Sequence, residues 1–388
     1  MEAVSSTTIG VANSSRIFFV DYLRAAIITL VILHHLAVVY SATTAFYYVE
    51  PTSDYLTLVV LVVFELLNQA WFMGFFFLIS GYFSPSSFDR RGSKRFVKDR
   101  LIRLGIPLLI FSLLLEPLAV YLGLSHMPPP LLAKAGITLS LTWQNYVRFI
   151  GPGPLWFVAM LLIFDMGYAA YRLAYANRKT AIPLTESTSS PTCRMVGAFI
   201  LLLALASWLV RIVVPVGTYV AFFPTLGYLP EYLSFFVIGV IASRKNWFKE
   251  VSSSLAKRVG IVALVATVVL FPIALTGGDA HFLGGVTWQS AVYSVWDSIF
   301  AVGTSLAVIV FFRRFFDRDG ALRDFLYKHS YTVYIVHVLV IVGLTAIVLQ
   351  GIMLYPLLKF TLAAVITVPF CWGVAYLVRK IPLADRAL

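Results

Sequence analysis

Charge is scarce in this chain. Only 12% of its 388 residues are Asp, Glu, Lys or Arg, against 60% hydrophobic, and the mean hydropathy is +0.87. No water-soluble domain sustains that balance, so a soluble globular enzyme is excluded at the outset. Cysteine is scarcer still. The two cysteines, Cys193 and Cys371, give neither a disulfide framework nor a metal-ligand spacing, and no metal is expected. Acidic residues number 18 against 30 basic ones, a net charge of +12. In a soluble protein that excess would suggest nucleic acid; here the location of each charge matters more, and no nucleic-acid partner is expected. No internal repeat is visible. Residues 2–15 are Ser/Thr-rich and lack a basic n-region with a small-residue cleavage site, so the first apolar stretch is expected to be a retained membrane span.

What is abundant is apolar sequence in bilayer-length runs. Hydropathy gives ten candidate spans, each near the roughly 20 residues a bilayer needs. They lie at about 17–40, 56–83, 104–123, 155–175, 195–216, 226–243, 258–275, 287–312, 329–350 and 356–378. The second is long for one crossing and is expected to tilt or break near Asn68-Gln69. Alternate connections then carry 25 of the 30 basic residues, from Arg16 through the Arg90–Arg103 run to Arg379, Lys380 and Arg386. The other connections hold only Lys134, Arg148 and Lys359. By the positive-inside rule both termini are cytoplasmic. The expected fold is all-α: a polytopic membrane bundle of about ten transmembrane helices, with a disordered segment 1–15, a single membrane domain 16–380 and a short cytoplasmic tail 381–388. Segment 124–154, with MPPP and GPGP, is expected across the outer mouth, and the polar inner segment 176–194 is expected to be mobile. Oligomeric state has no signature here.

The stretch Arg16 to Tyr40, RIFFVDYLRAAIITLVILHHLAVVY, carries Asp21, Arg24, His34 and His35 inside a span. Ionisable groups in a membrane are functional candidates by default. Arg24 and His35 are eleven residues apart, about three turns plus 20°, so they share one face with about 16 Å between them along the axis. Asp21 is placed to pair with Arg24. His34 points about 80° away from Arg24, so His35 is the better partner.

The second informative stretch, residues 75–109, passes through a dense basic segment and re-enters the membrane at Leu104, with Pro107 expected in the first turn. Arg100 and Arg103, three apart, are expected as neighbours on one helix surface. Guanidinium pairs beside a helix N-terminus suit phosphates; the alternative is plain contact with anionic lipid head groups.

At these residues the chain resembles the acyltransferase family 3 proteins, integral-membrane enzymes that acylate carbohydrates. VDYLRAAIITLVILHH is similar to that family's first span, a basic residue, ten residues of any kind, then histidine; Arg24 and His35 fit. Arg100 and Arg103 match its Arg-x-x-Arg signature before the third span. FFFLISGYF, with Ser80 and Gly81, resembles its Ser-Gly-aromatic segment; GPLWF, 153–157, and SYTVYIVH, 330–337, resemble later spans. ISGYFS and RLGIP also resemble the glucan-succinylating branch.

The resemblance implies a cytosolic acyl-coenzyme A donor, acetyl-CoA most simply, with succinyl as the alternative. Its phosphates would dock near Arg100 and Arg103 and its pantetheine arm would pass Arg24. His35 would act as general base on a hydroxyl of a carbohydrate or glycan acceptor at or beyond the outer face of the plasma membrane. Glu65, and behind it Asp165 and Asp297, could orient His35 or pair with Arg24; equally, each could be a neutral, hydrogen-bonded packing residue. His337 would line the site, with His34 the rival base and Trp156 either an interface anchor or a sugar platform. Glu116, Arg211 and Glu231 are expected near the outer ends of their spans, where charge snorkels cheaply and could meet an acceptor. Ser80 is expected to serve helix packing rather than nucleophilic attack. The competing class is a transporter or flippase of a glycan or lipid-linked precursor. Transporters often show inverted repeats and paired broken helices, and the sequence displays neither.

Overall fold

The computed structural model describes residues 17–44, 46–134, 142–176, 190–224 and 226–382. The expected disordered segment 1–15, most of the 176–194 connection and most of the 381–388 tail lie outside the described residues.

Among the described residues, ten helices are long and apolar enough to cross a membrane, as the hydropathy reading anticipates. In chain order they are α1 (Phe18–Ser41), α2 (Tyr55–Gln69) with α3 (Phe72–Arg91), α4 (Ser93–Ser125), α5 (Trp156–Ala176), α6 (Cys193–Val213), α7 (Leu229–Arg244), α8 (Ser253–Ala274), α9 (Trp288–Phe315), α10 (Ala321–Leu349) and α11 (Pro356–Val378). The long second span is broken between Gln69 and Phe72, where the sequence places the break.

Polar caps fix several ends. The side chains of Asp54, Thr192, Ser252 and Thr287 each accept a backbone N–H of the following first turn, satisfying donors that lipid would leave unpaired. The start of α1 is capped from elsewhere: the Phe19 N–H donates to Asp317 Oδ1 at 3.2 Å.

Helix α4 departs from expectation. It begins at Ser93, so Pro107 lies inside it rather than in a first turn, and it passes through π-helical turns at Leu101–Gly105 and Phe111–Leu115. A proline inside a helix has no N–H for the carbonyl four residues back. Here tyrosines from other segments supply the missing donor. The Tyr331 hydroxyl donates to the Arg103 carbonyl at 3.0 Å, and the Tyr146 hydroxyl donates to the Leu113 carbonyl, four residues before Pro117.

Burial is uneven. The α10 and α1 spans have 78% and 61% of their apolar windows buried, against 22–44% elsewhere, so these two form the centre. They pack on one another, α3 packs on α7, and α8 packs on α9. Leucines and valines such as Leu201, Leu202, Val265 and Val365 stand exposed on the periphery, the pattern of a surface solvated by lipid. Where α3 and α7 cross, backbones nearly touch. A Cβ on Gly81 would collide with the Phe236 carbonyl, and one on Gly239 with the Leu78 carbonyl. Small residues let helices approach this closely in lipid. Gly81→Ala is therefore expected to cost about 1–3 kcal/mol, read as a lowered melting temperature of the detergent-solubilised protein.

One end of the bundle is basic. There Asp89 holds both Arg172, at 2.9 Å, and Arg244, at 2.5 Å. Arg313 donates to the carbonyls of residues 248, 249 and 251, and Arg379 to the Lys328 carbonyl. α1 enters at this end and finishes at the opposite one.

Candidate active site

The α1 face inferred from spacing is occupied as expected at its basic end. Asp21 lies 3.8 Å from Arg24, and it is shared with Arg323 of α10 at 3.5 Å. The Arg24 guanidinium also lies over the Phe83 ring, 4.7 Å from its centroid. Its side chain stays 31% exposed, so the charge is neighboured but still reachable by a ligand.

Three turns further along, α1 presents His35 to α10. His35 Nδ1 is 3.1 Å from His337 Nε2, with ring centroids 5.1 Å apart. His337 Nδ1 is 2.6 Å from the Tyr334 carbonyl oxygen. A carbonyl only accepts, so that nitrogen carries the hydrogen; in a neutral ring Nε2 is then an acceptor. His35 must therefore donate from Nδ1, which leaves the lone pair on its Nε2. The buried His337 thus sets the tautomer of His35, and a neutral His35 keeps its basic Nε2 without a hydrogen bond to the described residues. The ring is stacked on Phe46 at 5.3 Å.

His34 is not part of this pair. Its ring lies against Phe72 at 5.1 Å, and its Nδ1 has no hydrogen-bond partner among the described residues. Glu65 is buried at the far end of α1, where its oxygens accept from Ser41 Oγ at 2.6 Å and Thr43 Oγ1 at 2.5 Å. Its hydrogen bonds thus anchor the end of α1 rather than the His35 ring. Trp156 is buried against Tyr232, 5.4 Å between centroids, and not at a lipid interface.

The two arginines of the Arg-x-x-Arg pair diverge. Arg100 turns inward: its Nε is 3.0 Å from Asp165 Oδ2, its Nη2 is 3.4 Å from Ser84 Oγ, and it lies over the Phe96 ring. Arg103, beyond the start of the π turn, is exposed. The pair is therefore not the matched surface expected from α-helical spacing, because a π turn shifts the angular relation of residues three apart. Asp165→Asn, which leaves Arg100 facing a neutral partner, is expected to cost about 2 kcal/mol of stability in the same melting assay.

The remaining intramembrane charges find partners that spacing does not reveal. Asp297 pairs with Arg211 at 2.5 Å, so neither Asp165 nor Asp297 serves Arg24 or His35. Arg211, Glu231 and Glu116 do not snorkel; all three are buried. Gly74 makes room for Glu231, since a Cβ there would collide with its carboxyl. Tyr334 escaped the sequence reading, although its place three residues before His337 puts it on the same helix face.

Comparison with known proteins adds to this geometry. A family model described as "Acyltransferase domain" matches residues 17–376. Curated relatives include "Glucans biosynthesis protein C" of Shigella dysenteriae serotype 1 (strain Sd197), 30% identical over 155 residues. The protein of the same name from Escherichia coli (strain K12) matches at the same identity and length. These alignments cover 39% of this chain and 37% of each relative, so the chain matches well under half the length of the relatives. No solved structure matches the chain.

Proposed function

The chain belongs to this acyltransferase family, and we propose that it moves a short acyl group from acyl-coenzyme A to a carbohydrate hydroxyl, with His35 as the base. The observation that carries the proposal is the His35–His337 pair, with a free Nε2 on His35 about 16 Å along α1 from Arg24. An extended pantetheine arm spans a distance of that order. The donor's phosphates would lie at the basic end against Arg103 and Arg24, with Arg100 braced by Asp165 and holding the helix that carries Arg103. By the positive-inside rule that end faces the cytoplasm, in the plasma membrane, and the acceptor approaches from the other side.

The chemistry follows from the tautomer. His35 Nε2 takes the proton of the acceptor hydroxyl as its oxygen bonds to the thioester carbonyl carbon. The C–S bond then breaks, and the departing thiolate takes that proton back from Nε2. The products are an ester and free coenzyme A, with no net proton released. His337 holds the His35 ring in place through both steps and stabilises the transient imidazolium. Acetyl is the simplest acyl group, and succinyl is the alternative, favoured by the likeness to glucan biosynthesis proteins.

The test is coenzyme A release by purified protein in liposomes, with acetyl-CoA and succinyl-CoA offered separately beside a soluble glucan. Release that depends on the glucan supports the proposal, and the better donor names the acyl group. Solute flux without release of coenzyme A would instead place the chain among transporters.

A further inference from the structure

Two arms leave the histidine pair and meet again. From His35, Phe46 stacks on the imidazole, Tyr47 packs edge-on against Phe46 at 4.9 Å, and the Tyr47 hydroxyl donates to Glu116 Oε2. From His337, the Tyr334 carbonyl receives the Nδ1–H, and the Tyr334 hydroxyl donates to the Pro154 carbonyl. The arms join at Gly153. Its φ of +44 favours glycine, and a Cβ there would collide with both Glu116 Oε2 and the Tyr47 hydroxyl. The ring so formed runs through α1, the connection after it, α4, the GPGP loop and α10, and the imidazole of His35 belongs to it.

We infer that Glu116 and Tyr47 form the subsite that grips the acceptor carbohydrate while one of its hydroxyls is presented to His35. This rests on the acyl-transfer reading above. Glu116 is 9% exposed, and Tyr47 is its hydrogen-bond partner among the described residues. A carboxyl group offers several lone-pair sites beyond the one that Tyr47 occupies, so it retains room for the hydroxyl donors of a sugar ring. Burial, then the neighbouring Glu116, pushes the Tyr47 phenol well up, so it stays a protonated donor. Tyr219, on the connection after α6, lies near the same carboxyl group, and partial burial and then that group push its phenol up. The ring of the half-buried Phe46 suits the C–H surface of a pyranose. A carboxyl group with phenol donors and an aromatic face matches a polyhydroxylated neutral ligand, while the phosphates of the donor have their own cations at the opposite end.

The experiment separates acceptor from donor. Glu116→Gln is expected to raise the KM for a soluble glucan oligosaccharide by about tenfold or more, and Tyr47→Phe by about threefold. Acyl-CoA binding should stay within about twofold of wild type in both variants. An unchanged glucan KM overturns the subsite, as does a loss of acyl-CoA binding that matches the fall in transfer. If Glu116→Gln does not yield folded protein, Tyr47→Phe decides by the same criterion. Failure of the acyl-transfer reading looks different: the wild type itself would then release no coenzyme A from any acyl-CoA.

Discussion

His35→Ala is expected to lower acyl transfer by about 100- to 10,000-fold, the usual contribution of a positioned general base. The loss should fall on kcat, because the donor's charged groups sit about three helical turns away, near Arg24 and Arg103, and acyl-CoA should still bind. His337→Ala is expected to act through His35, by removing the acceptor that fixes its tautomer, and to lower kcat without weakening the donor. His34→Ala is the control. Its ring rests on Phe72 and it takes no part in the pair, so transfer should stay near wild type. Single-turnover measurement of ester formation for the three variants checks this pattern. A normal His35→Ala beside an inactive His34→Ala would move the site by one residue.

Arg211→Met is expected to carry the largest stability loss, about 3–5 kcal/mol, because it strands a buried carboxylate. Arg211 has no exposed surface; it reaches Asp297 at 2.5 Å, Ser294 Oγ at 3.0 Å and the Gly227 carbonyl at 3.2 Å. Its guanidinium also lies over the ring of Tyr228 at 4.6 Å. Removing it leaves Asp297 uncompensated in a lipid-embedded interior that also contains Glu231. The double variant Arg211→Met, Asp297→Leu should recover most of the loss, since it removes both charges and keeps the volume. Arg211→Lys should not, because an ammonium cannot replicate a planar fork that reaches three acceptors. Melting of the four proteins in one detergent checks the order. A double variant no better than Arg211→Met would show that the pair contributes more than mutual neutralisation.

Much of the fold is legible in the sequence because lipid imposes a length. Runs of about 20 apolar residues locate the ten crossings, and the break at Gln69 shows where one run is too long. The shared face of Arg24 and His35 is legible from helical arithmetic alone, and the choice of His35 over His34 follows from the same angle. Pairings between distant helices are not legible this way. His35 and His337 are 302 positions apart, and nothing in their local patterns brings α1 onto α10. Asp165 and Asp297 read as candidates for His35 because their true partners, Arg100 and Arg211, lie on helices whose neighbours hydropathy does not give. Pro107 reads as a first-turn residue because its compensation comes from Tyr331, on another helix. The anchoring of Glu65 by Ser41 and Thr43 depends likewise on how α2 leans on the end of α1.

The central claim is that a thioester donor is consumed as a carbohydrate ester is made, and the balance between the two products tests it most directly. Purified protein in liposomes, given acyl-CoA labelled in the acyl group and a soluble glucan, should yield one free coenzyme A for each labelled ester on the glucan. Labelled glucan without free coenzyme A, or free coenzyme A with the label recovered only as the free acid whatever glucan is supplied, would contradict the account.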